Sequence, residues 1–331
     1  MTDDREDLVK AAFIEQFGPP SVIQYGDLPM PPLGPRDVLV KVAAVTVDPI
    51  DTYIRSGAFK THPKFPFIIG RDMTGQVMET GPSVSRFQAG QWVWSNNQGY
   101  AGRQGTFSEY CLVQEDLLYP LPDGADPLET VALLHSALTA VLGLEFKACL
   151  RAGETLFVNG GDGNVGTAVL QIAKNLGARV AVTSATEEKA KWCKQLGADA
   201  VINYKTEDIA EGVHKFAPDG VNVYWDATGQ PDVRRAIDSV AQRGRIIFMA
   251  GLRHDTILPV GSFYIRNCTL FGFTVTDATK EELANYASHI NRWLARKSLR
   301  AKIAYRLPLS DAAKAHHLNE SGLFGKVVLE P

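Results

Sequence analysis

The sequence predicts an α/β protein in which a β-rich domain is joined to a domain built on a doubly wound parallel sheet. The length of 331 residues fits two domains of typical size. Residues 1–130 hold short apolar runs separated by glycine and proline, whereas strand and helix patterns alternate from about residue 131 onward. Hydrophobic residues make up 45% and charged residues 21% of the chain, which is an ordinary globular composition.

The N-terminal part is predicted to consist mainly of strands. The most apolar strand candidate covers residues 38–45, and shorter candidates follow at 67–70, 75–79 and 91–94. Prolines at positions 29, 31, 32 and 35 predict an extended connector before the first of these strands.

The remainder of the chain alternates between strand and helix candidates. A helix is predicted over 131–146 and a long one over about 280–296, with a last strand over 326–329. Between the two helices lie six strand candidates, at 155–159, 179–183, 200–202, 221–225, 245–249 and 269–275. The helices that connect them are predicted over 165–176, 186–196 and 233–241, with Thr186 as an N-cap. This alternation is typical of a doubly wound parallel sheet.

Charge and cysteine content exclude several classes of protein. Against 34 basic residues stand 37 acidic ones, so the net charge of -3 argues against a strongly basic nucleic-acid binder and against a polybasic membrane patch. The four cysteines form no C-x-x-C pair and no disulfide framework. The mixed-charge N-terminus predicts no signal peptide, and the apolar stretch 131–144 is shorter than the roughly 20 residues that span a bilayer. We therefore expect a cytoplasmic protein with neither a nucleic-acid nor a membrane partner.

The most specific local motif is the glycine-rich segment 161–166, with the sequence GDGNVG. It follows an apolar strand and opens a helix, which is the setting that the G-x-G-x-x-G fingerprint requires. Glycine lets the backbone turn tightly and approach a pyrophosphate, and the helix N-terminus offers N–H groups to the phosphates. The motif predicts dinucleotide binding, with a tight structural turn as the alternative.

The end of the second strand favours NADP(H) over NAD(H). An NAD site usually carries Asp or Glu there, about 20 residues after the glycines, to hold the ribose hydroxyls. This chain has Thr183, Ser184 and Ala185 instead. Ser184 can bond a 2′-phosphate and Lys189 can supply charge, although a solvated helix lysine is the alternative interpretation of Lys189.

Five segments carry a family resemblance: DTYIRSG at 51–57, GRDMTG at 70–75, the loop 160–166, LGAD at 196–199 with VINY at 201–204, and GKVVL at 325–329. Together they resemble the quinone oxidoreductase branch, similar to zeta-crystallin, of the zinc-independent medium-chain dehydrogenase/reductase superfamily. The resemblance covers nearly the whole chain. It implies a GroES-like catalytic domain of residues 1–130 and 276–331, a Rossmann domain of residues 131–275 that binds NADP(H), and an active site between them.

The resemblance also implies NADPH as the cofactor, and contacts to it. The loop contacts are Gly160, Gly163, Asn164, Val165 and Gly166. Ser184, Lys189 and Tyr204 would lie at the 2′-phosphate. Thr139, Ala250, Gly251, Phe271, Phe273 and Lys326 would border the nicotinamide half, with an exposed strand lysine as the alternative for Lys326. Homodimers paired through the strand around 269–275 are common in the superfamily.

Two departures from that branch concern acidic residues. Asp162 and Asn164 stand where relatives have Ala and Gly, so the Asp162 carboxylate is expected to turn away from the phosphates or to cap the helix. Asp48 stands where quinone reductases often have Asn. A carboxylate there is either a polar wall of the site or a group for proton transfer.

The sequence predicts no metal site. A catalytic zinc needs about three protein ligands. Arg71 occupies the position that often holds His in zinc-dependent relatives, and no cysteine precedes Cys111. His135 is expected to be a hydrogen-bonded core or site histidine, and the adjacent His316 and His317 a polar surface pair.

These features predict zinc-free hydride transfer from NADPH to a quinone or a similar conjugated carbonyl compound. Tyr53 is the candidate that stabilises the developing oxyanion by a hydrogen bond. Alternatively, Tyr53 only packs, with its hydroxyl bonded to Asp51 or Arg55. Asp51 and Arg55 are themselves predicted to pair across one turn of helix. The first alternative function is reduction of enones, enals or enoyl thioesters. The others are a crystallin-like or RNA-binding protein with little turnover, and an NAD-dependent alcohol dehydrogenase.

Overall fold

The computed structural model describes residues 8–252 and 254–331, which form two compact units. One unit contains the chain up to His135 together with Ala278–Pro331, and the other is Ser136–Asp277.

The first unit is built mainly from antiparallel strands. Its strands are β1 (Leu8–Ile14), β2 (Gln24–Pro29), β3 (Asp37–Thr46), β4 (Phe67–Ile68), β5 (Met73–Thr80), β6 (Trp92–Ser95), β7 (Tyr110–Gln114), β8 (Tyr119–Pro120), β15 (Ile303–Pro308) and β16 (Lys326–Glu330). One sheet has the order β15-β16-β3-β5-β6-β8, with β7 also paired to β3, and a second has the order β2-β1-β4. Its helices are α1 (Pro49–Ser56), α8 (Lys280–Ala295) and α9 (Ala312–Glu320), and α2 (Pro127–Val141) begins in it.

The second unit contains the predicted parallel sheet. Its strands are β9 (Thr155–Asn159), β10 (Arg179–Ser184), β11 (Ala200–Asn203), β12 (Val221–Asp226), β13 (Val240–Phe248) and β14 (Thr269–Phe271). They lie in the order β11-β10-β9-β12-β13-β14, and every pair is parallel. The connecting helices are α3 (Asn164–Asn175), α4 (Glu187–Gln195), α5 (Ile209–Phe216), α6 (Val233–Ser239) and α7 (Val260–Ile265). The order reverses beside β9, which is the switch point where doubly wound sheets bind ligands; the predicted fold class is confirmed.

The central strands of this sheet are apolar because both of their faces are covered. Leu156, Phe157 and Val158 of β9 are fully buried, and so are Val180, Ala181 and Val182 of β10. Continuous apolar runs of this kind are the pattern of parallel strands packed between helices.

Helix α2 is longer than the sequence prediction allowed. It continues through a π-helical turn at Leu142–Lys147, in which the Ala148 N–H donates to the carbonyl of Gly143 at 2.8 Å. Among the described residues, this 21-residue helix, Pro127–Lys147, is the one long and apolar enough to cross a membrane, so the sequence argument from length is wrong. However, 78% of its most apolar window is buried, which is the packing of a core helix in a soluble protein.

Two further side chains, Trp94 and His316, are buried in the core of the first unit. Trp94 is fully buried, and its Nε1 donates to Oδ1 of Asn291 at 2.9 Å. His316, predicted to lie on the surface, is also fully buried, with Phe107 at 6.0 Å between ring centroids. The prediction is wrong because the two adjacent histidines lie on different faces of α9, and only His317 faces solvent.

Candidate functional site

The glycine-rich loop connects β9 to α3, as the sequence predicted. Gly160 adopts a positive φ of 82°, and Gly163 is the N-cap of α3. A Cβ on Gly166 would collide with the carbonyl oxygen of Gly160, so only glycine fits where the helix crosses the loop. This close approach leaves the first turn of the helix beside the loop backbone.

The N-terminus of α3 can receive an anion. Its N-cap is a glycine, so no side chain at that position competes for the N–H groups of Asn164, Val165 and Gly166, and its first turn carries no acidic residue. Such a helix end combines N–H donors with the positive end of the helix dipole. The loop therefore fits the pyrophosphate of a dinucleotide.

A polar network that sequence reasoning missed holds the loop in place. The Gly160 N–H donates to Oγ1 of Thr183 at 2.7 Å, and that hydroxyl donates to Oδ1 of Asn159 at 3.1 Å. The Asn159 amide in turn donates to Oδ2 of Asp226 at 2.9 Å. The network joins the carboxyl ends of β9, β10 and β12. Only the position of these polar residues at the ends of apolar strands could have revealed it.

Of the three residues predicted to hold a 2′-phosphate, two lie at the ends of β10 and β11 and the third lies in α4. Ser184 is the last residue of β10, and its carbonyl accepts a hydrogen bond from the Tyr204 N–H at 3.2 Å. Lys189 follows in α4, where its backbone N–H donates to the predicted N-cap hydroxyl of Thr186 at 3.3 Å. The structure thus brings Ser184 and Tyr204 together.

The Asp162 side chain points from the loop to the end of β10. Its Oδ2 accepts hydrogen bonds from the Ser184 hydroxyl at 3.2 Å and from the Ala185 N–H at 3.0 Å. The same oxygen lies 3.8 Å from Nζ of Lys189. The carboxylate therefore turns toward the end of β10.

The other predicted cofactor contacts in the second unit lie on α2, after β13, or at and after the end of β14. Thr139 is buried in α2, and Phe271 is the last residue of β14. Phe273 packs edge-on against Trp225, with the ring centroids 6.0 Å apart. Ala250 and Gly251, after β13, adopt positive φ angles of 73° and 82°. For Ala250 this left-handed backbone is strained, which is frequent at functional sites.

In the first unit, the N-terminus of α1 meets the last strand. The Asp48 N–H donates to Oδ2 of Asp51 at 2.8 Å, and Oδ1 of Asp48 accepts a hydrogen bond from Nζ of Lys326. Asp48 is 1% exposed and Lys326 is 3% exposed. Lys326 is therefore not the exposed strand lysine that was its alternative interpretation.

Further ionisable groups are buried around this ion pair. Burial, followed by the nearby charge of Asp48, raises the pKa of Asp51 to about 7 and raises that of Asp72 well above its usual range. Burial lowers the pKa of His135 to about 4, so its imidazole is neutral. Among the described residues, neither oxygen of Asp72 and none of the three guanidinium nitrogens of Arg71 has a hydrogen-bond partner. The group is a desolvated polar cluster inside the unit.

Three members of this cluster could hold a metal ion. Ligand atoms of Asp48, Asp72 and His135 lie within 4.8 Å of one another. The sequence does not reveal this set, because Asp48, Asp72 and His135 are far apart in the chain and form no spacing typical of a metal site. The Lys326 ammonium already binds one of the three, and the Arg71 guanidinium adds a second positive charge.

Tyr53 and Arg55 both lie on α1, but Tyr53 is exposed to solvent whereas Arg55 is buried and forms an ion pair. The Tyr53 side chain is 45% exposed, so its hydroxyl can reach a small molecule. Arg55 donates to Glu320 at 2.6 Å, and Asp51 accepts from the backbone of Asp48. The predicted pairing of Asp51 with Arg55 is therefore wrong.

Two family profiles match the chain. The zinc-binding dehydrogenase profile matches residues 164–292, and the profile of the alcohol dehydrogenase GroES-like domain matches residues 34–123. The first match begins at Asn164, inside the glycine-rich loop, and covers β10 to β14 of the parallel sheet; the second covers α1 and the strands β3 to β8.

Relatives of known function match over almost the whole length. A quinone oxidoreductase of Lama guanicoe is 31% identical over 326 residues, covering 97% of this chain and 97% of its own. One of Pseudomonas aeruginosa is 32% identical, covering 95% of this chain and 97% of its own. A solved structure of a mycobacterial protein complexed with NADPH is 30% identical and superposes with a TM-score of 0.84 over 98% of this chain and 100% of that one.

Proposed function

We propose that this chain, which belongs to the quinone oxidoreductases of the medium-chain dehydrogenase/reductase superfamily and is an oxidoreductase, uses NADPH to reduce a quinone or a similar conjugated carbonyl compound. The observation that carries the proposal is the glycine-rich loop at the switch point of the parallel sheet, in a chain of this family. We assign cofactor binding to residues 131–275 and catalysis to residues 1–130 and 276–331.

The cofactor contacts follow from the fit of the loop. Gly160, Gly163, Asn164, Val165 and Gly166 would hold the pyrophosphate, and Ser184, Lys189 and Tyr204 the 2′-phosphate. Thr139, Ala250, Gly251, Phe271, Phe273 and Lys326 would border the nicotinamide. When bound, NADPH supplies the hydride that reduces the acceptor.

The first unit supplies the groups that act on the acceptor. We assign to the exposed Tyr53 hydroxyl the hydrogen bond that stabilises negative charge on the acceptor oxygen. Lys326 fixes Asp48 through Oδ1, while Oδ2 of Asp48 has no hydrogen-bond partner among the described residues. We assign to that second oxygen the transfer of a proton during the reaction.

We propose that the reaction needs no zinc. Two positively charged side chains, Lys326 and Arg71, lie in the cluster that contains the candidate ligands Asp48 and Asp72. They already compensate the carboxylate charge that a zinc ion would neutralise.

We further propose that the protein is a cytoplasmic homodimer. Among the described residues β14 pairs on one side only, with β13, and Ile257, Val260, Tyr264 and Ile265, which precede it in the sequence, are exposed. An open strand edge next to apolar side chains favours pairing with a second copy. Within the described residues all four cysteines are free thiols, which supports a reducing compartment.

The test follows NADPH oxidation at 340 nm with protein freed of metal by a chelator. NADPH and NADH are each offered with a panel of quinones, enones, enals and an enoyl thioester. Tyr53→Phe is assayed beside Tyr25→Phe, a control at an exposed tyrosine of β2.

Quinone-dependent oxidation of NADPH that survives the chelator and falls at least tenfold in Tyr53→Phe supports the whole proposal. If enones or thioesters are reduced faster than quinones, the proposed acceptor class changes from quinones to the faster class. Activity that returns only with added zinc overturns the metal-free reaction. Absence of NADPH binding overturns the proposed function.

A further inference from the structure

Asp162 interacts with the groups that a 2′-phosphate would need. One carboxylate oxygen accepts hydrogen bonds from the Ser184 hydroxyl and the Ala185 N–H, at 3.2 and 3.0 Å. The same oxygen lies 3.8 Å from Nζ of Lys189. A hydroxyl, a backbone N–H and an ammonium group form a donor set suited to one anion, and here the protein supplies that anion itself.

The position of this set decides which ligand competes with Asp162. Ser184 ends β10, the second strand of the dinucleotide-binding half, and the adenosine ribose of a bound dinucleotide lies at this strand end. A 2′-phosphate would have to displace the carboxylate from its donors or lie beside it. Since the Asp162 side chain is only 11% exposed, repulsion between the two anions would be weakly screened by water.

A ribose hydroxyl meets the same carboxylate differently. It carries a proton and can donate a hydrogen bond to the carboxylate, as it does to the acidic residue found at this strand end in NAD sites. Asp162 thus brings from the glycine-rich loop the carboxylate that β10 lacks at its end.

We propose that Asp162 is a residue that determines cofactor specificity, lowering the preference for NADPH over NADH by competing with the 2′-phosphate for Ser184, Ala185 and Lys189. The inference rests on the proposed function, since it requires that the loop bind a dinucleotide. It predicts that the wild-type protein discriminates between the two cofactors less than the variant with alanine at position 162.

A purely structural role of Asp162 would give a different result. If the carboxylate only ties the loop to the end of β10, its removal would loosen the site and weaken phosphorylated and unphosphorylated ligands alike. Asp199 provides the matched control, because its Oδ2 accepts the Val180 N–H at 2.6 Å and Nζ of Lys174 at 2.7 Å, at the opposite end of β10.

The experiment measures binding of adenosine 2′,5′-bisphosphate and of 5′-AMP by titration calorimetry, so it requires no turnover and no acceptor. The full chain is compared with Asp162→Ala, Asp162→Asn and Asp199→Ala. We expect Asp162→Ala to bind the 2′,5′-bisphosphate at least tenfold more tightly, with 5′-AMP unchanged within twofold or weaker. Asp162→Asn, which keeps an acceptor but loses the charge, should gain an intermediate amount, and Asp199→Ala should gain nothing.

Lys189→Met in the Asp162→Ala background should remove most of the gain. Unchanged or weaker binding of the 2′,5′-bisphosphate by both Asp162 variants overturns the inference while leaving the proposed function intact, provided that wild-type protein binds NADPH. Failure of every variant to bind NADPH, NADH and both fragments overturns the proposed function and the inference with it.

Discussion

The ammonium group of Lys326 donates to the carboxylate of Asp48 across 278 positions of sequence, so that the last strand is fastened to the start of the first helix. Both side chains are almost fully buried. Removing one partner of such a buried ion pair strongly lowers the stability of the folded protein, because the remaining charge stays desolvated.

We expect Lys326→Met to lower the free energy of unfolding by about 3–5 kcal/mol, since it leaves Asp48 buried without its partner. In the double variant with Asp48→Asn, part of that loss should be recovered. Denaturant unfolding of the four proteins in the cycle measures the coupling. Lys41→Met, at an exposed lysine of β3, is the control and should change stability by less than about 0.5 kcal/mol. Strictly additive losses would contradict a coupled pair.

Asp51 should make stability depend on pH. Its pKa is raised to about 7 in the folded protein, mainly by burial and then by Asp48, from the ordinary value of 3.8. The folded state therefore retains the proton longer than the unfolded state does, and this carboxyl group costs stability as the pH rises from about 4 to about 7. Asp51→Asn keeps an acceptor for the Asp48 N–H and should remove this loss, which amounts to at most about 4 kcal/mol.

The comparison is made by denaturant unfolding at pH 5 and pH 8. Glu282→Gln serves as the control because Glu282 makes the same kind of backbone hydrogen bond, to the Thr279 N–H at 2.8 Å, in an exposed position. A stability difference between Asp51→Asn and wild type that is equal at both pH values would refute the assignment.

His316 should destabilise the protein in acid. Burial lowers its pKa to about 3 from 6.5, so the unfolded chain takes up a proton that the folded chain refuses. The contribution to stability is complete above about pH 6.5 and is lost as the pH falls toward 3, to a total on the order of 3–5 kcal/mol. His316→Met should flatten this part of the pH profile, whereas His317→Met, at the neighbouring exposed position, should leave it unchanged. Thermal unfolding between pH 4 and pH 7 measures both.

A substitution at Gly166 tests whether the glycine-rich loop binds the cofactor. Because an added Cβ would meet the carbonyl of Gly160, Gly166→Ala should displace the start of α3 and weaken NADPH binding at least tenfold. Gly261→Ala is the control, since nothing lies within 4 Å of its added Cβ. Fluorescence titration with NADPH measures both variants. Unaltered affinity in Gly166→Ala would disprove the role given to the loop.

Substitutions at exposed apolar residues of α7 test the proposed dimer. Val260 and Ile265 are 61% and 64% exposed, and replacing both by lysine should convert a dimer to a monomer at micromolar concentration. Met78→Lys, at a side chain 45% exposed in the other unit, should leave the assembly unchanged. Light scattering coupled to size exclusion gives the mass; a monomeric wild type would end the proposal.

Local patterns were enough to predict the parallel sheet and its loop. The central strands β9, β10 and β12 are largely apolar because they are buried on both faces, and the glycines are needed by backbone that approaches itself closely. The N-cap role of Thr186 was likewise predictable, because a cap depends on residues three positions apart.

Contacts between distant segments could not be predicted in this way. Nothing near Lys326 in the sequence indicates Asp48 as its partner, and nothing near Asp162 indicates the end of β10. His316 was misjudged because adjacent histidines suggest a polar surface, while burial follows the face of α9 that packs on Phe107. Such contacts between distant segments form only when the sheets and helices pack against one another.

The position of β16 has a consequence for how the protein is made. This strand lies inside the sheet of the first unit, between β15 and β3, yet its residues Lys326–Glu330 follow every strand of Ser136–Asp277 in the sequence. The sheet around β3 therefore stays incomplete until Lys326–Glu330 have been synthesised, whereas all strands of the second unit are available earlier. The second unit can fold first during synthesis, while apolar strands of the first unit stay uncovered until β16 is made.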